Sequence, residues 1–432
     1  MAYTINTQPT ALIYSRSPVL YQIYDSTNTA LTDYRYMAEI FVWEGATASP
    51  PATATFTLKR YPNTNSSVYF NIQQLLAEYF TAMNPTIPDQ FADNIIYNVK
   101  VDFGYTYTDA ESDAENPTNT VITVQAAATS NTIQFVNGYT SFSKGINYTN
   151  AENTGQSFPT AYAQRVQDDS GTVESIGCVP IALDPLTGGE FMTDQPRTLV
   201  IPEYQRWTLS LYYKKTTSKV QDVKVWDDNS NTYTFDLSVI VTNSDSSEKF
   251  VLTLDVGSDK FNTYALAPTR YWYVQGFDDK GLEVTQKYTF ELDCKRKWGY
   301  TQIQFLNKYG VWDYVPCWGR DDDTVNVKRK PFQRDTLSIA QATASYNVYE
   351  PKYNNHNIEG RLTRKLNTGY IDEEFAEVIK QLYLSPMIVD QSTLLPYNVK
   401  GTSVPIMNFD NDQLLNWTIE LEEAFDHINS VG

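Results

Sequence analysis

Few side chains in this sequence are suited to catalysis. Histidine, which exchanges protons near neutral pH, occurs only as His356 and His427. The two lie far apart, and triad-type catalysis needs a histidine beside a serine or cysteine nucleophile. No G-x-S-x-G elbow is present. We therefore predict a protein that is not an enzyme, with no catalytic residue. The three cysteines are odd in number and widely spaced, so we interpret them as small buried side chains: Cys178, Cys294 and Cys317.

Carboxylates are abundant, and three clusters of them could attract a cation: Asp227-Asp228, Asp278-Asp279 and Asp321-Asp322-Asp323. A calcium site needs six to eight converging oxygens, and no cluster has the loop pattern of an EF-hand. We interpret the clusters as solvated turns, with weak Ca²⁺ binding as the alternative, and predict no metal or cofactor site. A polysaccharide-cleaving enzyme stays open as a third hypothesis, because it needs only two carboxylates about 5–10 Å apart.

The net charge of −18, from 51 acidic and 33 basic residues, argues against nucleic-acid binding because the chain would repel phosphates. Two short basic clusters stand out, Lys295–Lys297 and Lys328–Lys330. They fit either ion pairs across a subunit contact or ordinary surface charge. The beginning of the chain does not have the pattern of a secretory signal. No apolar stretch approaches the ~20 residues that span a bilayer. We expect a soluble protein, or one exported by another route, without membrane insertion.

The pattern of the first 126 residues predicts a β-sandwich with one inserted helix. Strands are predicted where polar and apolar residues alternate: Tyr34–Trp43, Ala54–Leu58, Ile95–Tyr107 and Thr120–Val124. The helix is indicated by an apolar stripe at Ile72, Leu75, Leu76, Tyr79 and Phe80. Asn71 is the predicted N-cap, and Pro85 follows the helix.

Residues 127–297 predict a second β-sandwich region of one or two modules, with the strand spacing of immunoglobulin or fibronectin-like folds. Its predicted strands are Arg206–Tyr213, Thr232–Val241, Lys249–Leu254 and Tyr271–Gly276. A turn at Asp278–Gly281 predicts a hairpin.

Residues 298–432 predict a small α+β domain for assembly. A helix is indicated by Phe375, Val378, Ile379, Leu382 and Tyr383, with Asp372 as its N-cap. A last strand is predicted at Trp417–Phe425. The predicted fold class is therefore mainly β, with several β-sandwich domains, two short helices and a small α+β C-terminal domain.

Several phrases resemble those of structural proteins from tailed bacteriophages that infect Bacteroidetes-type hosts, crAss-like phages included. Lys295–Tyr314 is similar to a phrase of the form FLN-x-x-G-x-WD, Phe191–Arg197 (FMTDQPR) to LTDQPR, and Ser15–Val19 (SRSPV) to RNPV. C-terminal stretches match the same group, in the same order: Asn367–Pro386, Leu395–Gly401 and Leu414–Val431. Within the first phrase we predict a strand, a turn at Gly310 and a packed Trp312.

The resemblance implies a virion structural protein of the tail, baseplate or neck, assembled in the host cytoplasm. It implies partners among copies of the chain in a symmetric oligomer and among other virion proteins. The 32 tyrosines and 8 tryptophans suit such contacts, since aromatic residues are enriched in protein interfaces. The alternative is a carbohydrate-binding adhesin or receptor-binding protein, in which exposed Tyr and Trp stack on the sugars of a host surface glycan. Burial of these side chains distinguishes the two.

Overall fold

The computed structural model describes residues 3–9, 13–44, 49–64, 66–79, 97–110, 119–139, 165–167, 173–175, 191–214, 220–237, 249–293, 299–333, 337–340, 343–346, 349, 351–401 and 414–425. Over these residues the chain is mostly β, with several sheets and a few short helices, which confirms the predicted fold class. No helix in these ranges is long and apolar enough to cross a membrane.

The strands are numbered in chain order. They are β1 (Tyr3–Thr7), β2 (Ile13–Tyr14), β3 (Leu20–Asp25), β4 (Arg35–Glu44), β5 (Phe56–Arg60), β6 (Ser67–Asn71), β7 (Tyr97–Ala110), β8 (Asn119–Thr129), β9 (Ile133–Val136), β10 (Arg165–Gln167), β11 (Val173–Ser175), β12 (Thr198–Pro202), β13 (Thr208–Lys214), β14 (Asp222–Asp227), β15 (Thr232–Asp236), β16 (Lys249–Asp255), β17 (Tyr271–Phe277), β18 (Tyr288–Asp293), β19 (Thr301–Leu306), β20 (Trp312–Cys317), β21 (Asp322–Gln333), β22 (Leu337–Ala340), β23 (Thr343–Tyr346), β24 (Tyr353–Asp372), β25 (Ile388–Asp390), β26 (Pro396–Val399) and β27 (Leu414–Glu423).

The helices are few and short. They are α1 (Gln73–Tyr79), α2 (Phe261–Tyr264) and α3 (Ala376–Leu384), with 3-10 turns at Asn28–Ala30, Ser258–Lys260 and Glu373–Phe375.

Two sheets form the N-terminal part. One has the order β1-β3-β6, and the other has the order β2-β9-β7-β4-β5 with β8 paired to β7. Alternate residues of β4 are buried because successive side chains of a strand point to opposite faces. A single hydrophobic core combines side chains of both sheets, including Tyr21, Phe70, Tyr36, Ile40 and Phe103. This is the sandwich that the alternation predicts.

The predicted helix of this part is α1, and its Leu76 is buried. The predicted N-cap, Asn71, lies one residue too early, because the Ile72 carbonyl accepts the first helical hydrogen bond, from Leu76 at 3.0 Å. The Asn71 side-chain oxygen still accepts the backbone N–H of Gln73 at 3.1 Å. The sheet continues past the predicted boundary at residue 126. β8 runs to Thr129, and β9 joins the same sheet with Phe135 opposite Tyr97.

The middle part also has two sheets, with the orders β12-β18-β17-β14-β15 and β13-β16. Large aromatic side chains fill the space between them. The rings of Trp272 and Phe290 stack at 5.1 Å, and Trp207 meets Phe290 edge-on at 6.3 Å. The indole N–H of Trp272 donates to the carbonyl of Val256 at 2.9 Å, so the buried tryptophan keeps a hydrogen bond.

A seven-stranded sheet, β20-β19-β25-β26-β27-β24-β21, organises the C-terminal part. The 20-residue β24 pairs first with β21 and then with β27. Nearly every side chain of β21 is exposed. The β21–β24 ribbon therefore has no buried face on its β21 side. This explains why period-two alternation did not predict these strands.

The predicted C-terminal helix is present, but the predicted N-cap is wrong. Asp372 is the last residue of β24, where it pairs with Leu414 of β27. The 3-10 turn Glu373–Phe375 follows, and α3 begins at Ala376 without a side-chain cap. The apolar stripe is correct, because Phe375, Val378, Ile379 and Leu382 are buried. The strand ladder, rather than capping chemistry, determines where the helix starts.

The chain divides into two compact units. The first is Met1–Cys294 together with Leu306–Asp313, and the second is Lys295–Phe305 together with Tyr314–Gly432. The first unit contains both the N-terminal and the middle sheets. The loop between β19 and β20 belongs to this first unit, although most of β19 and β20 belongs to the second.

Candidate functional site

One turn geometry occurs at four places in the described residues. An Asn or Asp is the first residue, and its side-chain oxygen accepts the backbone N–H of the fifth residue. The fourth residue has a positive φ, of 54°, 70°, 78° and 79° respectively. The turns begin at Asn63, Asp227, Asp278 and Asn307. The Asx side chain thus replaces a missing backbone hydrogen-bond partner.

The turn that begins at Asn307 packs closely against the backbone of a segment far away in the sequence. Gly310 has φ +79°, and a Cβ there would lie 2.8–3.0 Å from backbone atoms of Asn137. The backbone N–H of Tyr139 donates to the carbonyl of Lys308 at 2.8 Å. Gly138 is equally confined, since a Cβ on it would overlap the Tyr14 ring and the Lys308 carbonyl. Only glycine permits so close an approach of two backbones.

Asn307 connects this turn to the middle part of the first unit. Its side-chain amide donates to the carbonyl of Met192 at 2.8 Å and to Asp313 Oδ2 at 2.9 Å. Its Oδ1 accepts the backbone N–H groups of Tyr309 at 2.9 Å and Val311 at 3.2 Å. The side chain is fully buried and makes four hydrogen bonds, the full capacity of two N–H donors and two oxygen lone pairs.

Asp313 is held on its other side by Thr193. The Thr193 hydroxyl lies 2.8 and 2.9 Å from the two carboxylate oxygens, to which it donates. The same hydroxyl accepts the backbone N–H of Gln195 at 3.0 Å. Both oxygens of this buried carboxylate therefore have protein partners.

Asp194 forms a second buried group beside the first. Lys308 Nζ forms an ion pair with Asp194 Oδ2, and the Tyr309 hydroxyl donates to Oδ1 at 2.8 Å. Burial, together with the negative charge of Asp194, raises the pKa of Tyr14 well above its usual value. The Tyr14 hydroxyl is therefore neutral at physiological pH.

The segment that follows β2 completes the arrangement. The Ser15 and Arg16 backbone N–H groups donate to the carbonyls of Val136 at 2.9 Å and Gly138 at 3.0 Å. The Arg16 guanidinium lies over the Tyr139 ring, 4.8 Å from its centroid. Burial lowers the pKa of Arg16 to about 10, although Tyr139 opposes this shift. The arginine therefore stays charged in a confined position.

Three phrases that carry the phage resemblance thus meet at one place, which we call the junction. Its residues are Ser15-Arg16, Asn137–Tyr139, Met192–Asp194 and Asn307–Asp313. Sequence analysis found three of these four segments but treated them as separate phrases. One available signal was the position of Asn307 and Asp313 directly beside strand residues, where a polar side chain needs a buried partner. The strand, turn and buried Trp312 predicted within Lys295–Tyr314 are confirmed.

Protonation of Asp313 predicts a pH dependence of stability. Burial is the main cause that raises the pKa of Asp313 to about 7, and the negative charge of Asp194 raises it further. Hydrogen bonds from Asn307 and Thr193 and the positive charge of Lys308 lower it in part. A raised pKa means that the folded state binds the proton more tightly. This stabilisation is full below about pH 4 and is lost as pH rises through 7. We expect Asp313→Asn to remove this pH-dependent stabilisation, which is worth about 2–4 kcal/mol.

The measurement is the free energy of unfolding of parent and Asp313→Asn between pH 4 and 8. Titrations common to both proteins cancel in the difference, including that of Asp255, whose pKa burial also raises to about 7. The free energy of unfolding of the variant should increase relative to that of the parent as pH rises. A difference that does not vary with pH would show that Asp313 titrates alike in both states.

Two C-terminal phrases also meet, within the second unit. Asn367 pairs with Thr418 across β24 and β27, next to a bulge. Gly369 has φ +70°, and a Cβ there would overlap the Trp318 indole. The Thr368 hydroxyl accepts the backbone N–H of Trp417 at 3.0 Å. These phrases, like the junction, are places of close packing.

Most carboxylates of the acidic clusters are occupied by backbone amides or basic side chains. Asp227 accepts backbone N–H groups of Asn229, Asn231 and Ala267, and Asp228 accepts those of Thr269, Arg270 and Tyr271. Burial raises the pKa of both carboxyl groups, but these hydrogen bonds have the larger effect, so both pKa values lie below the usual value. Asp322 and Asp323 form ion pairs with Arg320 and Arg364. Within the described ranges no three His, Cys, Asp or Glu side chains are grouped as metal ligands.

The remaining candidate residues are not brought together. His356 lies on β24, and Cys317 is buried, as predicted for a small hydrophobic side chain. Lys328–Lys330 lie exposed on β21. Four predictions fall outside the described residues: His427, Cys178, Cys294 and Lys295–Lys297.

Comparison with protein-family models and with curated proteins found no match. Among solved structures, the Bacillus anthracis TIE protein is similar at 9% identity and a TM-score of 0.15, over 85% of this chain and 53% of that one. A Salmonella α-2-macroglobulin reacted with methylamine is similar at 8% identity and a TM-score of 0.21, over 97% of this chain and 30% of that one. The chain spans about half or less of the length of these proteins.

Proposed function

We propose that this chain is a structural subunit of a tailed-bacteriophage particle, in the tail, baseplate or neck. It acts through contacts with copies of itself and with other virion proteins. The junction is the observation that carries the proposal. Three of the phrases that resemble phage structural proteins meet in the first unit, and this supports a resemblance of architecture rather than of a reaction.

The chemistry of the junction supports a structural role. Every polar atom of the Asn307 side chain and both oxygens of Asp313 are bound by other protein groups. A reactive carboxylate or amide would need a free side facing a substrate. The buried network fixes backbone segments from distant parts of the chain instead.

Aromatic burial favours assembly over sugar binding. Of the tryptophans in the described ranges, five are buried and two, Trp226 and Trp318, are half-buried. The large exposed aromatic side chains are mostly tyrosines, spread over both units: Tyr61, Tyr69, Tyr204, Tyr349, Tyr353 and Tyr370. Sugar rings stack best on exposed rings grouped in one surface, so the adhesin is the weaker hypothesis.

Mass measurement by light scattering, with negative-stain imaging of the same sample, tests the proposal. We expect oligomers or rings that form from the purified chain or on addition of neighbouring virion proteins. A glycan array run in parallel should be negative. A protein that stays monomeric with its virion neighbours, yet binds a glycan, would replace this proposal with the adhesin.

A further inference from the structure

Among the described strands, none pairs with the outer edge of β21. In the seven-stranded sheet β21 has β24 on one side and no described strand on the other. Its side chains are exposed along its length apart from a half-buried Asn326, and Val325 and Val327 are each 48% exposed. An edge with unpaired backbone N–H and C=O groups can accept a further strand.

One face of the ribbon at this edge is apolar at its centre, between Asp323 and Arg329 of the same face. Val325 pairs with Leu362 and Val327 with Gly360, so these side chains share a face. Ile358, two residues further along β24, lies on the same face and is exposed. A partner strand with apolar residues in matching positions would extend this face.

The charges of β21 are arranged as a palindrome of opposite sign. Residues 322–330 read DDTVNVKRK, with two aspartates at one end, three basic residues at the other, and Asn326 at the centre. Opposite charges directly across an antiparallel pair are favourable, whereas like charges are unfavourable. An antiparallel copy of the same segment therefore presents the complementary charge at each end.

We propose that β21 pairs with β21 of a second copy, antiparallel and centred on Asn326. This register places Asp322 opposite Lys330, Asp323 opposite Arg329, and Val325 opposite Val327, each twice across the two-fold axis. The numbers of each pair of opposed residues add to an even sum, so both residues lie on the same face of their strand. A two-fold axis normal to the sheet requires this, and it places Val325 and Val327 of both copies on the same side. The contact is a specific form of the self-association proposed above.

The limits of the strand agree with this register. β21 begins at Asp322, and the β21–β24 ladder shifts between Lys330 and Pro331. Proline has no N–H to donate and occurs in edge strands or at bulges. The regular segment is thus the nine residues that the palindrome covers. A register centred on Val325 would keep only one opposite-charge pair within the strand, Asp322 with Lys328, and would place Asp323 opposite Val327.

Among the charges of the proposed register, Asp323 already contacts Arg364, whose side chain is only 18% exposed, whereas Asp322 and Lys330 make exposed ion pairs. Asp322 pairs with Arg320 at 3.6 Å and Lys330 with Glu359 at 4.0 Å, all with largely exposed side chains. Such exposed pairs contribute at most about 1 kcal/mol, so a cross-strand partner can share them. Residues 326–361 are locally basic, with six basic and three acidic residues, although the whole chain has a net charge of −18.

Complementary charge variants of the full chain test the register. Arg329→Glu/Lys330→Glu makes the strand acidic at both ends, and Asp322→Lys/Asp323→Lys makes it basic at both ends. We expect the parent to associate with a Kd on the order of 10 µM, because nine paired residues bury less than a standard interface. Each variant alone should associate at least tenfold more weakly, and an equimolar mixture should regain parent-like association.

The matched control is Lys59→Glu/Arg60→Glu, which makes the same charge change on another edge strand, β5. It should associate like the parent in sedimentation velocity. Self-association that survives in both β21 variants would overturn the β21 contact while leaving the proposed assembly role intact. A parent that does not associate, or a mixture that is not restored, would also overturn it.

Discussion

Asn307→Ala is expected to lower the free energy of unfolding of the first unit by about 4–6 kcal/mol. The substitution removes the Asn307 partner of the Met192 carbonyl and of two backbone N–H groups in a fully buried position. It also leaves the Asp313 carboxylate with Thr193 alone of its two partners. Each unsatisfied buried group costs about 1–3 kcal/mol. The loss is therefore several times that of a typical surface substitution.

Asn307→Asp separates two roles of the side chain. Aspartate keeps the acceptor for Tyr309 and Val311, but it cannot donate to Met192 and adds a charge beside Asp313. We expect it to be nearly as damaging as alanine. If Asn307 only closed its turn, Asn307→Asp would be close to neutral.

The turn at Asp278 supplies the control for Asn307. Asp278 accepts the N–H groups of Lys280 and Leu282, the same positions that Asn307 binds, but on the surface. Asp278→Ala should cost only about 1 kcal/mol, since water replaces the lost acceptor. Hydrogen exchange read by mass spectrometry is the suitable measurement, because a chain of two units need not unfold in two states. Protection should fall in residues 137–139, 191–195 and 307–313.

Gly310→Ala is expected to destabilise the first unit by about 2–5 kcal/mol. A left-handed backbone costs a non-glycine residue about 1–2 kcal/mol, and Gly310 has φ +79°. Its new Cβ would also lie 2.8–3.0 Å from the Asn137 backbone. Backbone cannot rotate away as a side chain can, so the segments must separate, at a further cost of about 1–3 kcal/mol.

Gly281→Ala isolates the conformational part of this cost. Gly281 occupies the same position of the same turn, with φ +78°, and nothing lies within 4 Å of a Cβ built on it. Gly281→Ala should lower the free energy of unfolding only by the cost of the left-handed conformation, about 1–2 kcal/mol. Equal losses in the two variants, measured by urea unfolding, would contradict the close approach of residues 137 and 310.

Strands with one buried face were predictable from sequence. β4, β7 and β17 alternate because one face lies in a core, and their predicted positions agree with the structure to within a few residues. β21 and the first half of β24 were missed because an exposed ribbon imposes no such pattern. The Asp372 N-cap failed for a different reason, since β24 continues through that residue to pair with β27.

The junction was predictable only in part. The turn at Gly310 follows from local sequence, as does the packing of Trp312. Met192 and Thr193, the distant partners of Asn307 and Asp313, lie more than a hundred residues away, and no local rule links Thr193 to Asp313. Which polar residues meet is determined by the topology of the first unit, and short phrases do not contain that information.

The assignment of Leu306–Asp313 to the first unit has a consequence for the order of folding. On a ribosome, residues 1–294 are complete before the loop that closes their junction has been made. Contacts with a sequence separation of 120 or more close slowly because the loop entropy must be lost first. In nascent chains, Met192–Asp194 and Asn137–Tyr139 should therefore lack their contacts with residues 307–313 until residue 313 emerges. Chaperones would bind the protein in that interval.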